Sequence, residues 1–373
     1  MAATKVPLAR DARQVAALLD LPEIGQLISD LEATRWTGRP GYPIRAMVGA
    51  ALVKGVYVLP TWTRTARLIA EHAALRDVLG AAPSVYACYR FGAKLREHGD
   101  ALDRCLDGVL AKLRDRLPEM GEHLAIDGSD LPAYANGHRH VGNKNGPLRD
   151  HYSDPDASWG HRSAISTRKG GGYYGYKVHA AVCTRTGLPV AWRVDTASTS
   201  EHEHVAPLLD SALDRGFKPG TCAMDKGYDG RLMYEACEDR NVRPVIPLRL
   251  TMNVWQGEDK APTCQHGTWT FAGSDAKRGA SKWRCPTGEC QPASVWIKAD
   301  RLHPLIPRTT DRWRSLYRER GSVEREFGVL KHEWAMLPLR VRRLDRVKLH
   351  VDLTILARLG HALTRPETML KAA

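Results

Sequence analysis

The sequence lacks a long apolar run and an apolar signal segment. The best candidate for a membrane span, residues 46–59, is short and contains Lys54, whereas a spanning helix needs about 20 apolar residues. The first residues, MAATKVPLARDARQ, contain no apolar core of a signal peptide. These absences argue against a secreted or membrane protein, and we expect a cytoplasmic location.

Several common catalytic motifs are also missing. The sequence contains no P-loop and no G-x-S-x-G motif, so neither ATP-driven work nor an α/β-hydrolase nucleophile is indicated. Gly170, Gly172 and Gly175 match G-x-G-x-x-G formally, but they precede a run that resembles a strand rather than opening a helix. A dinucleotide site is therefore not predicted.

Acidic residues are scarce relative to basic ones. The chain has 42 Asp and Glu against 55 Lys and Arg, which gives a net charge of +13 and a pI near 9.4. The densest basic region is 301–350, with 13 basic and 6 acidic residues. This balance predicts a polyanionic partner. Because a membrane role is disfavoured, double-stranded DNA is the expected partner, with association with the nucleoid when bound.

The first part of the chain, residues 1–118, is predicted to be an all-α domain. Apolar residues recur at helical spacing in 12–19, 44–58 and 62–79. Thr61 and Ser84 can each cap a helix. Two such helices joined by a short turn would form a DNA reader resembling a helix-turn-helix, and a plain helical bundle is the alternative.

From residue 119 short strands alternate with helices, which predicts a mixed α/β sheet with flanking helices. Its first part covers 119–249. Residues 250–305 break the pattern and are predicted to be a small insertion. The last part, 306–373, contains one long helix over 313–334, a basic turn and a final apolar helix.

Two aspartates follow apolar strand-like segments, Asp127 in IDGSD and Asp225 in MDKGYD. Carboxylates at the carboxyl ends of strands face the crevice where open α/β sheets bind ligands. If the strands are neighbours, the two charges repel unless a cation neutralises them. Hard oxygen ligands favour Mg²⁺ or Mn²⁺. The alternative is that each aspartate caps a turn.

The segment WRSLYRERGSVEREFGVLKHEW contains a polar stripe. Tyr317, Arg320, Glu324 and Lys331 are separated by 3, 4 and 7 residues, which places them on one face of a continuous helix. Glu324 would add a third carboxylate. Arg320 and Lys331 suit phosphate contacts, and Tyr317 can stack on a base or donate to a phosphate. A solvated, salt-bridged helix face is the alternative.

The pattern Y-x2-R-x3-E-x6-K resembles the signature of DDE-type insertion-sequence transposases with an RNase H-like catalytic core. LAIDGSDLP resembles the first aspartate box of that family, and MDKGYDG resembles the second, although Lys226 stands inside it. The resemblance covers about residues 40–335 and includes the amino-terminal helical segment. The insertion at 250–305 matches nothing in it.

The resemblance implies that Asp127, Asp225 and Glu324 hold two Mg²⁺ or Mn²⁺ ions that serve cleavage of transposon ends and transfer of the 3′-hydroxyl into target DNA. It implies that Tyr317, Arg320 and Lys331 contact the inverted-repeat ends, and that the enzyme acts as a homodimer on DNA. The alternatives are another RNase H-like nuclease or resolvase, and a non-catalytic DNA-binding protein derived from a transposase.

The insertion contains four soft candidate ligands, Cys264, His266, Cys285 and Cys290. Zinc takes four Cys or His ligands tetrahedrally, and a small segment with few aliphatic residues would gain stability from such a site. Neither spacing is the usual C-x2-C, so reduced, unligated cysteines are the alternative. The five other cysteines are scattered and are predicted to be core residues.

The sequence EHEH, residues 201–204, offers a further group of metal-binding side chains. Acidic residues are favoured in the first turn of a helix because they interact with its dipole. We therefore predict that 201–204 forms the acidic start of a helix rather than a metal site.

Overall fold

The structure is a computed structural model that describes residues 10–34, 41–137, 152–162, 169–249 and 261–365. The described residues from 10 to 116 form helices and no strand. Their bounds are α1 Arg10–Leu19, α2 Pro22–Ala33, α3 Ile44–Val56, α4 Trp62–Glu71, α5 Ala73–Leu79, α6 Val85–Glu97 and α7 Gly99–Arg116. The helical periodicity of this part of the sequence is thus confirmed.

Two predicted caps begin helices as expected. The Arg64 amide donates to Thr61 Oγ1 at 3.2 Å at the start of α4, and the Ala87 amide donates to Ser84 Oγ at 3.3 Å at the start of α6. The prediction that a short turn joins these two helices is wrong. Helix α5 lies between them, because His72 ends α4 and accepts from the Leu75 amide to cap a new helix.

The main sheet has six strands. Their bounds are β1 His123–Pro132, β2 Ser158–Arg162, β3 Gly171–Cys183, β4 Pro189–Thr196, β5 Thr221–Ala223 and β6 Arg243–Val245. The strand order is β2-β3-β1-β5-β6, and β4 also pairs with β3. β1 is antiparallel to β3 but parallel to β5, which in turn is parallel to β6. The mixed α/β sheet predicted from the sequence is confirmed.

β1 extends beyond its predicted end. The apolar run stops at Ile126, yet the strand continues to Pro132 because Asp127 and the five residues after it pair with β3 in unbroken antiparallel register. Asp127 therefore lies within this strand, although β5 pairs with it only as far as Ala125. On either side of β2, residues 138–151 and 163–168 lie outside the described residues.

Helix α8 Val205–Asp214 follows β4, and α9 Arg231–Glu238 lies between β5 and β6. Residues 261–305 form small antiparallel sheets with bounds β7 Thr263–Cys264, β8 Gly267–Thr268, β9 Thr270–Asp275, β10 Ala280–Arg284 and β11 Ser294–Lys298. This segment separates β6 from the last helices, as expected of an insertion. Residues 250–260 of the predicted insertion lie outside the described residues.

The chain ends in α10 Asp311–Arg318, α11 Gly321–Glu333 and α12 Leu344–Thr364. The prediction of one long helix over 313–334 is wrong, because the helix is interrupted at Glu319 and Arg320. Gly321 follows the break, and glycine weakens a helix interior by about 1 kcal/mol relative to alanine. Glu319 also accepts a hydrogen bond from Thr184 at 2.8 Å, which fixes the break against the end of β3.

The largest hydrophobic core among the described residues extends from the amino-terminal helices to the main sheet. Helix α3 is apolar on nearly all sides and is buried along most of its length, as expected of a helix surrounded by others. α12 packs on α3 and α7 and also on β4. Among the described residues, none of the helices combines the length and the apolarity needed to cross a bilayer.

Candidate active site

Asp127 lies on β1, and Asp225 follows the end of β5, the parallel strand beside β1. The last registered pair between β1 and β5 is Ala125 with Ala223. In each of the two segments, the aspartate is the second residue after this pair. Neighbouring strands are about 4.8 Å apart. Asp225 Oδ1 accepts from the Gly227 amide at 2.7 Å and starts a short 3₁₀ turn, which stops β5 at this edge.

Arg320 connects Glu324 to this pair. Its Nη1 donates to Asp127 Oδ2 at 3.3 Å, while its Nη2 donates to Glu324 Oε1 at 2.5 Å. One guanidinium therefore bridges carboxylates that are 197 positions apart in the sequence. The break between α10 and α11 places Arg320 directly before the helix whose first turn contains Glu324.

The charge on Asp127 is poorly accommodated by its surroundings. Burial raises its pKa to about 7, and the charges of Glu201 and Asp225 act in the same direction. The Gly128 amide, which donates to Asp127 Oδ1 at 2.7 Å, and the Arg320 guanidinium oppose the shift without cancelling it. A bound cation would compensate both the lost hydration of this buried carboxylate and the neighbouring negative charges.

A fourth carboxylate at this site, Glu201, was not predicted. It begins a 3₁₀ turn over Glu201–His204, as the acidic start expected for this segment, yet its charge also raises the pKa of Asp127. Lys177 Nζ holds its Oε1 at 2.6 Å. Glu201 lies near Asp127 because of the fold: the pairing of β3 with β1 brings Lys177, the partner of Glu201, beside the strand of Asp127.

The remaining signature residues lie along α10 and α11. Lys331 Nζ lies 3.5 Å from Asp130 Oδ1, and Arg162 approaches the other oxygen of Asp130 at 3.2 Å. The Tyr317 ring stacks on Trp313 with centroids 4.9 Å apart. Arg320 and Lys331 thus both contact acidic residues of β1, a pairing that helical spacing alone does not indicate.

The donor set at this edge consists of carboxylate oxygens. Asp127, Asp225 and Glu324 offer hard oxygen ligands, and Glu201 adds negative charge nearby. Mg²⁺ and Mn²⁺ prefer such ligands and also bind phosphate oxygens. The three predicted acids therefore fit a divalent cation by their chemistry; Arg320 joins Asp127 to Glu324, and Asp225 follows the strand beside that of Asp127.

A second group of ligands lies in the insertion. The Sγ atoms of Cys264, Cys285 and Cys290 all lie within 4.8 Å of one another, and the Cys264 and Cys285 sulfurs are 3.8 Å apart. His266, the fourth predicted ligand, lies outside this group of three. Its Nδ1 is 3.1 Å from Glu289 Oε2 instead.

The other five cysteines are buried and free. All five belong to the main hydrophobic core, which confirms the prediction that they are small core residues.

Comparison with known proteins identifies the family of this chain. The family model described as "Transposase DDE domain" matches residues 118–359, well over half of the sequence. A comparison with curated protein sequences found no match. Among solved structures, the chain is similar to the cryo-EM structure of a piggyBac transposase synaptic complex with hairpin DNA. That similarity has a TM-score of 0.42 at 10% identity and covers 98% of this chain and 79% of the other.

Proposed function

The chain belongs to the DDE transposase family, and from this premise we propose that it cleaves the ends of a bacterial-type insertion sequence and joins their 3′-hydroxyls to target DNA. One observation carries the proposal: Arg320 bridges Asp127 and Glu324, while Asp225 follows the strand beside Asp127. These contacts support a site formed by Asp127, Asp225 and Glu324 at this edge of the sheet.

Asp127, Asp225 and Glu324 would hold the divalent cations, Mg²⁺ or Mn²⁺. When bound, two such ions neutralise a scissile phosphate and assist the attacking and leaving oxygens. Arg320 already lies between two of the acids as a built-in counter-cation. We propose that it turns to a phosphate of the transposon end once the acids are otherwise neutralised, and that Lys331 and Tyr317 extend this DNA contact along the same face.

The sheet supports an RNase H-like core. The strand with the first aspartate is central, with antiparallel partners on one side and parallel strands on the other. We propose that this core spans 119–249 and 306–373, that 1–118 contributes DNA contacts, and that the enzyme acts as a homodimer on DNA. The expected setting is the cytoplasm, at the nucleoid. The mass of the protein–DNA complex in solution tests the dimer.

A cleavage assay tests the activity. The substrate is DNA with the inverted ends that flank the gene, incubated with Mg²⁺ or with EDTA. We expect Glu324→Ala to abolish strand cleavage while end binding is retained. Glu333→Ala, which removes an exposed carboxylate from the end of the same helix, is the matched control and should cut normally. Equal loss of binding and cleavage in Glu324→Ala would make Glu324 structural.

The two alternatives give different results. A non-catalytic DNA-binding protein would show no Mg²⁺-dependent cleavage with any end. Another nuclease or resolvase would cut but would not join donor ends to a target. A strand-transfer product from wild-type protein therefore separates the proposed function from both.

We propose in addition that Cys264, Cys285 and Cys290 bind a structural zinc ion. With Zn–S bonds of about 2.3 Å, two thiolates on one tetrahedral zinc lie about 3.8 Å apart. The Cys264 and Cys285 sulfurs have that separation, which is far too long for a disulfide. A hydroxyl from Thr287 also approaches the Cys285 sulfur at 3.5 Å; hydrogen bonds to it, from Thr287 first and from the backbone, lower the pKa of that thiol to about 5.

His266 is the proposed fourth zinc ligand. Its Nδ1 pairs with Glu289, and metal-bound histidines usually have their second nitrogen on a carboxylate. Nε2 now lies 3.0 Å from Gln265 Nε2 and would leave that contact to bind the ion. The insertion needs such support, since its own buried cluster consists of Trp269, Trp283 and Cys285.

Metal analysis of the full-length protein tests the zinc site. We expect about one zinc per chain, lost in Cys285→Ser and retained in Cys88→Ala, which alters a cysteine of the helical core. A chelator should remove zinc faster from His266→Ala than from wild type, and an unchanged rate would exclude His266. Zinc-free wild-type protein that shows no thiolate absorption on addition of Co²⁺ would contradict the site.

A further inference from the structure

A basic cavity of about 480 Å³ lies apart from the three acids. It is enclosed by α3, α4 and α6 and by α12 with the segment that precedes it. Five of the side chains that line it are cationic, namely Lys54, Arg96, Arg340, Arg342 and Arg346; of these, Arg96 is paired with Asp345 at 2.8 Å. None of the described lining residues is Asp or Glu. The cavity therefore has the charge and the size expected of a site for an organic anion.

Lys54 places a positive charge in the interior of the protein. It is only 8% exposed, and its Nζ lies 3.0 Å from His350 Nδ1 rather than beside a carboxylate. Burial lowers its pKa to about 8, so the ammonium form still predominates at neutral pH. A buried cation without a counter-ion destabilises the fold, and a bound phosphate would supply that counter-ion.

Aromatic rings share the walls with these cations. Tyr134 lies on one side, with the Arg340 and Arg342 guanidinium groups over its ring at 4.9 and 5.2 Å. Tyr89 lines the other side from α6. One turn earlier on that helix, Tyr86 is exposed and lies under Arg90 at 4.8 Å. Alternating rings and cations thus extend from the cavity along the surface of α6.

We propose that this cavity receives an unpaired nucleotide of a DNA strand, with its phosphate near Lys54 and the arginines and its base against the tyrosines. The inference rests on the proposed function, because it assumes a DNA substrate. Proteins that bind single strands combine a basic groove with aromatic side chains on which bases stack. A duplex would meet phosphate contacts alone, since its bases are paired and inaccessible to the rings.

Binding of a labelled oligothymidylate to the full chain in Mg²⁺-free buffer tests this. Loss of one base stack amounts to about 1–3 kcal/mol, so Tyr134→Ala should bind about 5- to 150-fold more weakly. Arg340→Ala should lower the slope of log K against log salt by about 0.7, the value for one single-strand phosphate. Arg231→Ala, which removes an exposed arginine from α9, is the matched control and should leave both quantities unchanged.

Lys54→Met tests the buried charge independently. It retains the length of the side chain and removes the cation, so we expect weaker oligonucleotide binding together with a thermal midpoint equal to or above that of wild type. Wild-type affinity in Lys54→Met and Tyr134→Ala would overturn the inference. So would an equal loss of affinity for a duplex of the same length, because the cavity would then contact duplex backbone.

These outcomes are independent of the proposed catalysis. The assay contains no Mg²⁺ and no cleavage step. If the chain binds the oligonucleotide as described but never cuts DNA, the proposed function is refuted and the inference about the cavity is supported. If the chain cuts and joins DNA while Tyr134→Ala binds like wild type, the cavity inference alone fails.

Discussion

Replacing Asp127 with asparagine should stabilise the metal-free protein. The carboxyl is 20% exposed, and its pKa rises from 3.8 to about 7. That rise in pKa corresponds to about 4 kcal/mol of destabilisation of the charged form. Asparagine removes the charge and can still accept from the Gly128 amide, but it weakens the contact with Arg320. We expect a net gain of about 2–4 kcal/mol in the free energy of unfolding.

The gain in stability of Asp127→Asn over wild type should increase as pH rises from 4 to 7. Because the folded-state pKa is above the unfolded-state value, the wild-type protein binds more protons when folded between pH 4 and 7, and its stability falls as pH rises through that range. Below about pH 4 wild type and Asp127→Asn should therefore unfold alike. The difference between them should grow to its full size near pH 7, as measured by urea unfolding in EDTA.

Magnesium should reduce the difference in stability between the two proteins. A ligand that binds only the folded state at 100 times its Kd adds about 2.7 kcal/mol. We expect Mg²⁺ to raise the urea midpoint of wild type but not that of Asp127→Asn. The reasoning is refuted if Asp127→Asn unfolds more easily than wild type at pH 7 in EDTA, or if Mg²⁺ stabilises both proteins equally.

Three further predictions concern stability. Arg358→Ala should lower the free energy of unfolding by about 3–5 kcal/mol, because it leaves the buried Glu326 carboxylate without its two hydrogen bonds of 3.0 and 3.1 Å; a loss below 1 kcal/mol in urea unfolding would contradict this. Lys54→Met should raise the free energy of unfolding by about 3 kcal/mol below pH 8. This increase should become smaller as pH rises toward 10.5, which a pH series of thermal midpoints measures. Thr310→Ala should lose about 1 kcal/mol, because the hydroxyl caps α10 through the Trp313 amide, and an unchanged midpoint would exclude that cap.

Local sequence patterns predicted much of the fold. Helix caps such as Thr61 and Ser84 depend on neighbouring residues, so they could be recognised in the sequence. The ends of elements that depend on distant partners could not. β1 continues to Pro132 because β3 pairs with it, and the break before Gly321 is fixed by Thr184 through Glu319.

The candidate site was predictable in part for the same reason. Asp127, Asp225 and Glu324 belong to motifs with fixed spacing, so their residue types were informative. Glu201 was missed because its place beside Asp127 arises from the pairing of β3 with β1. The basic cavity was also missed, since Lys54 and Arg340 are far apart in sequence and each resembles an ordinary charged residue.

Anomalous diffraction from crystals soaked in Mn²⁺ tests the central claim most directly. The account predicts manganese density in contact with the carboxylates of Asp127 and Asp225 and facing Glu324, with the Arg320 guanidinium displaced from its bridge. Density elsewhere with the bridge intact, or none at this edge at saturating Mn²⁺, would contradict the account.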